Sequence, residues 1–245
     1  MLTVSMQTIN RGSIGTCKAG LHPLTRTVVI ALTLCIPPLA AAANARPDPL
    51  PDQAGAAVAD AALTRTTQSV RYNGAYRSIG YPGGDVPSDQ GVCTDVVVRS
   101  YRLLNIDLQK LVHEDMRADF AAYPKLWGLS RPDSNIDHRR VPNLETYFSR
   151  AAQGLVSPPQ GIIARELPAS TTAADYLPGD IVSWRLPNGL PHVGIVARER
   201  VPDSAGRHYI IHNIGQGPRQ EDRLFAYKIA GHYRFASAAL KRRQP

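Results

Sequence analysis

About two thirds of the way along this chain the hydrophobic pattern changes period, and that change constrains the fold more than any other feature. Val97, Tyr101, Leu104 and Leu108 recur at helical spacing after a turn-rich stretch at Tyr81, Pro82, Gly83, Gly84 and Asp85, which predicts an amphipathic helix with Cys93 in its first turn. Leu108, Leu111, Val112, Met116 and Phe120 mark a second helix, with Asn105 or Asp107 between the two and a stop near Tyr123 and Pro124. Beyond Pro178-Gly179-Asp180 the runs shorten to Ile181–Trp184, His192–Val196 and His208–His212, separated by Pro187-Asn188-Gly189 and by a turn at Asp203–Gly206. Short apolar runs bounded by such turns predict strands, the last two an antiparallel hairpin. The fold class expected is therefore α+β, helices packed on a small antiparallel sheet.

Residues 1–45 read differently from the rest. They contain Arg11, Lys18 and Arg26 and no acid, then the apolar run Val28–Ala41, with small residues at Ala43 and Ala45. A basic region, an apolar region and an Ala-x-Ala site describe a cleaved export signal. The run falls short of the roughly 20 residues that span a bilayer, and Pro37 and Pro38 interrupt it, so no permanent membrane anchor is expected. Leu34 before Cys35 does not fit lipid attachment. The expected organisation is a signal peptide over 1–45, a Pro-rich linker over 46–57, a short helix from Val58 to Val70, and one hydrolase domain over 58–240. The chain is expected in the periplasm or the medium as a monomer.

Loss of the leader removes Cys17 and Cys35 and leaves Cys93 as the one thiol. Exported proteins normally pair their cysteines, so a lone thiol is either a buried small hydrophobe or a reactive group. Its place at a helix start favours the thiolate, through free amides and the macrodipole. If the 203–206 turn centres the hairpin, Gly194 lies opposite His212, and His192 and His212 become diagonal neighbours on one face. Such neighbours stand about 7–8 Å apart at the backbone, within reach of two imidazoles. A thiol needs a base, and the base needs a third polar group to hold its tautomer. Cys93, His192 and His212 fill those roles, with Asn213 as third member only if a bulge intervenes.

Charge adds little. The net charge is +8, and +5 without the leader's three cations, with only Lys241, Arg242 and Arg243 clustered. No basic helix or aromatic series suggests nucleic acid. A metal hydrolase built on His192 and His212 with Asp95 or His208 is an alternative, but no His-Glu-x-x-His spacing occurs, and neither metal nor cofactor is expected. Asp95 reads as a substrate-amine contact or a helix-dipole partner. Arg139 and Arg140 read as carboxylate ligands or as a salt-bridged surface. Asp137 and His138 are candidates to pair with each other, and His113 to pair with Glu114.

The stretches Gly91-Val92-Cys93-Thr94-Asp95, Gly179–Trp184, His192–Val196 and Ile210-Ile211-His212 resemble the motif series of the NlpC-type cell-wall cysteine peptidases, in the unpermuted order. Asp107-Leu108-Gln109, His113–Met116 and Asp133–Leu144 resemble, more closely, the bacterial domain of unknown function 1287, over about Ala61 to Phe235. The resemblance implies a papain-like fold and a thiol amidase or endopeptidase of peptidoglycan peptides. It also implies an oxyanion or substrate role for Tyr81, twelve positions before Cys93, beside the Cys93 amide. Val92 and Thr94-Asp95 depart from the usual Asp-Cys-Ser-Gly, and the Asp107–Asp180 insertion is larger than in compact members, a candidate cleft wall. A wall-binding module that lost the chemistry remains the alternative.

Export processing is checked by mass spectrometry of the protein recovered from the envelope, where a mature chain beginning at Arg46 is expected and an intact Met1 terminus would refute the leader.

Overall fold

The computed structural model describes residues 54–237 and 239, all within one compact unit spanning Arg46–Pro245. The expected leader and most of the expected linker lie outside the described residues. The linker's last residues do not behave as a spacer. Ala54 is buried, and helix α1 (Ala56–Leu63) starts two residues earlier than the pattern predicts. The Gly55 carbonyl accepts from the Val58 and Ala59 amides. Gly55 packs backbone to backbone on the 178–180 turn, where a Cβ would stand 2.0 Å from the Pro178 carbonyl oxygen. The helix ends at Leu63 and gives way to a 3-10 turn over Thr64–Thr67, so it does not reach Val70.

Strands β1 (Arg71–Tyr72) and β2 (Gln90–Gly91) form a short parallel pair, with Tyr72 opposite Gly91. Helix α2 (Cys93–Arg102) follows directly, with Cys93 as its first residue as expected. Asn105 stands in the left-handed region at φ 62°, and Asp107 caps α3 (Leu108–Ala118) by accepting from the Gln109 amide at 3.0 Å. Both residues weighed as the break therefore serve, one ending α2 and the other starting α3. Helix α4 (Val141–Ala152) has Pro142 in its first turn, where a missing N–H costs nothing.

The remaining strands are β3 (Ile163–Leu167), β4 (Ile181–Arg185), β5 (Pro191–Arg200), β6 (His208–His212), β7 (Arg219–Glu221) and β8 (Lys228–Ala236). They make one six-stranded sheet in the order β3-β8-β4-β5-β6-β7, antiparallel at every pair. The mixed α+β class holds, with a larger sheet than the three strands legible in sequence. Gly194 lies opposite His212, as the hairpin turn predicts.

Two cores cover the two sheet faces, and strand alternation sorts residues between them. Val193, Ile195, Ala197 and Ile211 join the core shared with Cys93, Val97, Tyr101 and the other helices. Val196, Ile210, Val182 and Trp184 join a smaller core with Tyr176 and Leu224. By the same alternation His192 and His212 stand on the Val196 face, away from α2. Among the described residues no helix is long and apolar enough to cross a membrane.

Gly194 keeps the two histidine strands close, since a Cβ there would stand 2.7 Å from Ile210 Cγ2 and 3.0 Å from His212 Cβ. Gly194→Ala is expected to cost about 1–3 kcal/mol as an overpacking change. Urea unfolding measures it, and a variant as stable as the parent would contradict the steric role.

Candidate functional site

The site is assembled by the residues that flank Cys93. The β1–β2 pair sets Tyr72 beside the start of α2, and Tyr72 and the Val193 and Thr94 amides are the polar groups near enough to the thiol to act on it electrostatically. Val193 follows His192 on β5, so the amide near the thiol and the histidine are consecutive residues whose side chains point to opposite faces of the sheet. The thiol is fully buried, and burial pushes its pKa up to about 11, with the two amides and Tyr72 pulling the other way. The expected helix-start thiolate is therefore corrected: the resting group is a neutral thiol.

Asp95 sits at the third position of α2 and accepts from the Val92 amide at 2.6 Å, closing the helix start. Its two oxygens take Arg139 in a fork, Nε and Nη2 both at 2.9 Å. Side-chain exposure is 2% for Arg139 and 4% for Asp95. Of the two readings open for each residue, the structure shows Asp95 as the helix-start partner and Arg139 as its salt-bridged mate, each occupied by the other. Arg139 keeps one buried donor, Nη1, without a partner.

The histidines meet as the register requires. His192 Nε2 and His212 Nδ1 stand 2.8 Å apart, and His212 Nε2 stands 3.0 Å from Glu221 Oε2. Burial lowers His212 and lowers His192 to about 3, the latter helped by the charge of His212, so both rings are neutral at pH 7. The tautomers follow from the acceptor at the end of the chain. Glu221 can only accept, so His212 donates from Nε2 and accepts at Nδ1. His192 therefore donates from Nε2, and its Nδ1 carries the free lone pair. The 2.8 Å nitrogen pair is a hydrogen-bond separation. Two imidazoles on a tetrahedral zinc stand about 3.3 Å apart, from metal–nitrogen bonds of about 2.0–2.1 Å.

His192 spends its ring hydrogen bond on His212 and makes none to Cys93. The two line different cavities. Cys93, Arg139, Arg140, Trp127 and Val141 bound one of about 460 Å³; His192, Leu186, Leu190, Ile214 and Tyr227 bound one of about 520 Å³. Tyr72 and Pro191 line both. Half of the first cavity's wall comes from the Asp107–Asp180 insertion, as a cleft wall requires. Arg140 lies over the Trp127 ring at 4.0 Å and pairs with Asp137 at 3.0 Å. Asp137 is therefore the partner of Arg140 and not of His138, whose buried ring is lowered to about 4.

One expected position moves. Tyr81 is 41% exposed and packs edge-on against His113, with ring centroids 4.8 Å apart, at the far end of the loop. Tyr72 occupies the place beside the thiol that the resemblance implies for Tyr81. Asn213 spends its Oδ1 on the Gly215 amide, which leaves His212 as the ring that meets His192. Sequence reasoning missed Tyr72 and Glu221 altogether. Glu221 lies on a three-residue strand without apolar alternation, and Tyr72 in a segment with no motif.

The chain matches the family model for the domain of unknown function DUF1287 over residues 59–235. It belongs to that family. A protein named "Uncharacterized protein YijF" from Escherichia coli (strain K12) is 51% identical over 179 residues, covering 73% of this chain and 80% of that one. No solved structure matches the chain. The DUF1287 match contains every residue of the constellation from Tyr72 to Glu221.

Neutral buried histidines give a signed prediction. His192 at about 3 and His138 at about 4 bind protons more weakly folded than unfolded, where a histidine titrates near 6.5. Their stabilising contribution is therefore complete above about pH 6.5 and is lost as pH falls toward the folded values. The urea midpoint is expected to drop between pH 7 and pH 5, and His138→Gln to reduce that drop. A midpoint constant over this range would contradict it.

Proposed function

We propose that this DUF1287 chain is an exported thiol hydrolase, an amidase or endopeptidase of peptidoglycan peptides, with a papain-like, NlpC-type arrangement. The single observation that carries the reading is the ordered chain Glu221–His212–His192, which leaves the Nδ1 lone pair free on the residue before the amide near the Cys93 sulfur. Thiol acylation needs a tautomer-fixed imidazole with a free lone pair that can reach the thiol, and the chain supplies the fixed tautomer. The leader-like residues 1–45 and the motif series favour the envelope as the place and its peptides as the substrate.

The reaction runs from a neutral pair. His192 Nδ1 takes the Cys93 proton as sulfur bonds to the acyl carbon, and the carbonyl electrons move to oxygen. The Cys93 amide, in the first helical turn without an intrahelical acceptor, and the Tyr72 hydroxyl are donors within reach of that oxygen. His192 then returns the proton to the leaving nitrogen as the C–N bond breaks. Water, deprotonated by the same nitrogen, adds to the thioester, and as the S–C bond breaks its electron pair goes to sulfur, which takes the proton back from His192 while the acid leaves. His212 and Glu221 hold the ring throughout. In the substrate-free protein the thiol–imidazole bond is unmade and the His192 ring lies on the sheet face away from α2, so the proposed reaction requires that ring to reach the sulfur when substrate binds.

A second reading has its own observation. The thiol is fully buried and raised to about 11, and it faces a cavity other than that of His192, which also suits a wall-binding module without chemistry.

Purified wall peptides separate the two. Wild type is expected to cleave them, Cys93→Ala to lose all turnover, and His192→Ala to lose about 10²–10⁴-fold in rate. Glu221→Gln, which frees the His212 tautomer, is expected to lower kcat more than it raises KM. Activity that survives Cys93→Ala, or no cleavage of any fragment, would sink the hydrolase.

A further inference from the structure

A third cavity adjoins the thiol's. It measures about 620 Å³ and is bounded by Tyr76, His113, Arg117, Leu129, Arg131 and the 132–135 turn. Tyr76 lines this cavity and the Cys93 cavity alike. Its hydroxyl is fixed from behind, donating to Asp133 Oδ2 at 3.0 Å and accepting from Asn135 Nδ2 at 2.9 Å. The dividing wall is therefore a held ring, and one extended ligand can pass from one cavity into the other.

The second cavity has an excess of unsatisfied donors. Arg117 and Arg131 are exposed and have no carboxylate partner among the described residues, whereas Arg139, Arg140 and Arg150 nearby are all paired with acids. His113 has a buried Nδ1 without a partner. The one acid in the wall, Asp133, is occupied by Tyr76, by the Asn135 amide at 2.9 Å and by Asn135 Nδ2 at 2.9 Å. Two free guanidinium groups around one concave surface suit a carboxylate, which a guanidinium binds through paired N–H···O bonds.

We infer that this cavity is a carboxylate subsite, which holds a free carboxylate of the peptide substrate at a distance from the bond at Cys93. The inference rests on the hydrolase reading for its substrate class and deepens it: the enzyme takes acidic peptides, with the acid on the Tyr76 side of the thiol. Amidated peptides lose that contact. Because both arginines are exposed, the attraction weakens as salt rises.

Binding and cleavage are tested apart. Calorimetry on full-length Cys93→Ala uses a soluble peptidoglycan stem peptide with free carboxylates and the same peptide carboxamidated. The acid form is expected to bind about tenfold more tightly, a difference of about 1.4 kcal/mol. The added pair Arg117→Gln and Arg131→Gln is expected to abolish that preference while circular dichroism stays that of the parent. Equal binding of both peptides by Cys93→Ala, no binding of either, or a preference that survives the double substitution would each overturn the subsite. If Cys93→Ala discriminates acid from amide while wild type cleaves neither, the subsite stands and the hydrolase falls. Cleavage without discrimination does the reverse.

Discussion

The Asp95–Arg139 pair is the interaction on which the rest of the site depends. Asp95 closes the first turn of α2 through the Val92 amide, and Arg139 comes from the far segment that leads into α4. The Thr94 hydroxyl donates to the Arg139 carbonyl at 2.9 Å, so the same two chain segments are joined twice. Arg139 Nη2 also reaches the Asn73 carbonyl at 3.3 Å, one residue after Tyr72. One guanidinium thus holds the helix that carries the thiol, the strand that carries its tyrosine partner and the wall of the cavity between them. A buried pair of this kind adds little net stability as a pair, but loss of one partner strands a charge and costs about 3–5 kcal/mol. Its value lies in the single geometry it permits.

A second buried acid organises the sheet in the same way. Asp180 takes Arg234 through Nε and Nη2, both at 2.7 Å, and His232 at 2.8 Å, and accepts from the Leu177 amide at 2.9 Å. It ties the turn before β4 to β8, the strand between β3 and β4. This contact also explains why β8 was not legible. Tyr233 and Phe235 alternate with His232 and Arg234, but those polar residues are buried on the sheet as partners of Asp180. A buried ion cluster thus interrupts the continuous apolar run by which a strand covered on both faces is recognised.

The parts of the site that were legible are the local ones. Cys93 at a helix start follows from the spacing of Val97, Tyr101 and Leu104, and the His192–His212 diagonal follows from one hairpin turn. Register there has a single solution, since a one-residue slip of β6 would carry His212 to the face opposite His192. Glu221 and Tyr72 come from neither pattern, because strand order and a two-residue parallel pair bring them in. Tyr81 shows how counting along the chain fails. Residues 73–89 form an excursion closed by the 71–72 and 90–91 pairing, so the tyrosine nearest in space is the one farther in sequence, and Tyr81 stands against His113 instead.

The state of the thiol turns on magnitudes that sequence position does not supply. A helix N-terminus favours a charge by about 0.3–1 kcal/mol at a surface and up to about 2 kcal/mol where partly buried, less than about one and a half pKa units. Complete burial opposes the charge by as much as 3–5 units. Cys93 is both at a helix start and fully buried, so burial wins, and the Val193 and Thr94 amides and Tyr72 offset only part of it. The structure thus holds a neutral thiol at the start of α2 and, on the other face of the sheet, a neutral imidazole whose tautomer is fixed through His212, and neither carries the larger cost of a buried charge. Under the proposed hydrolase reading, charge would develop only when an acyl carbon comes within reach of the sulfur, with the Cys93 amide and Tyr72 as the donors to stabilise it.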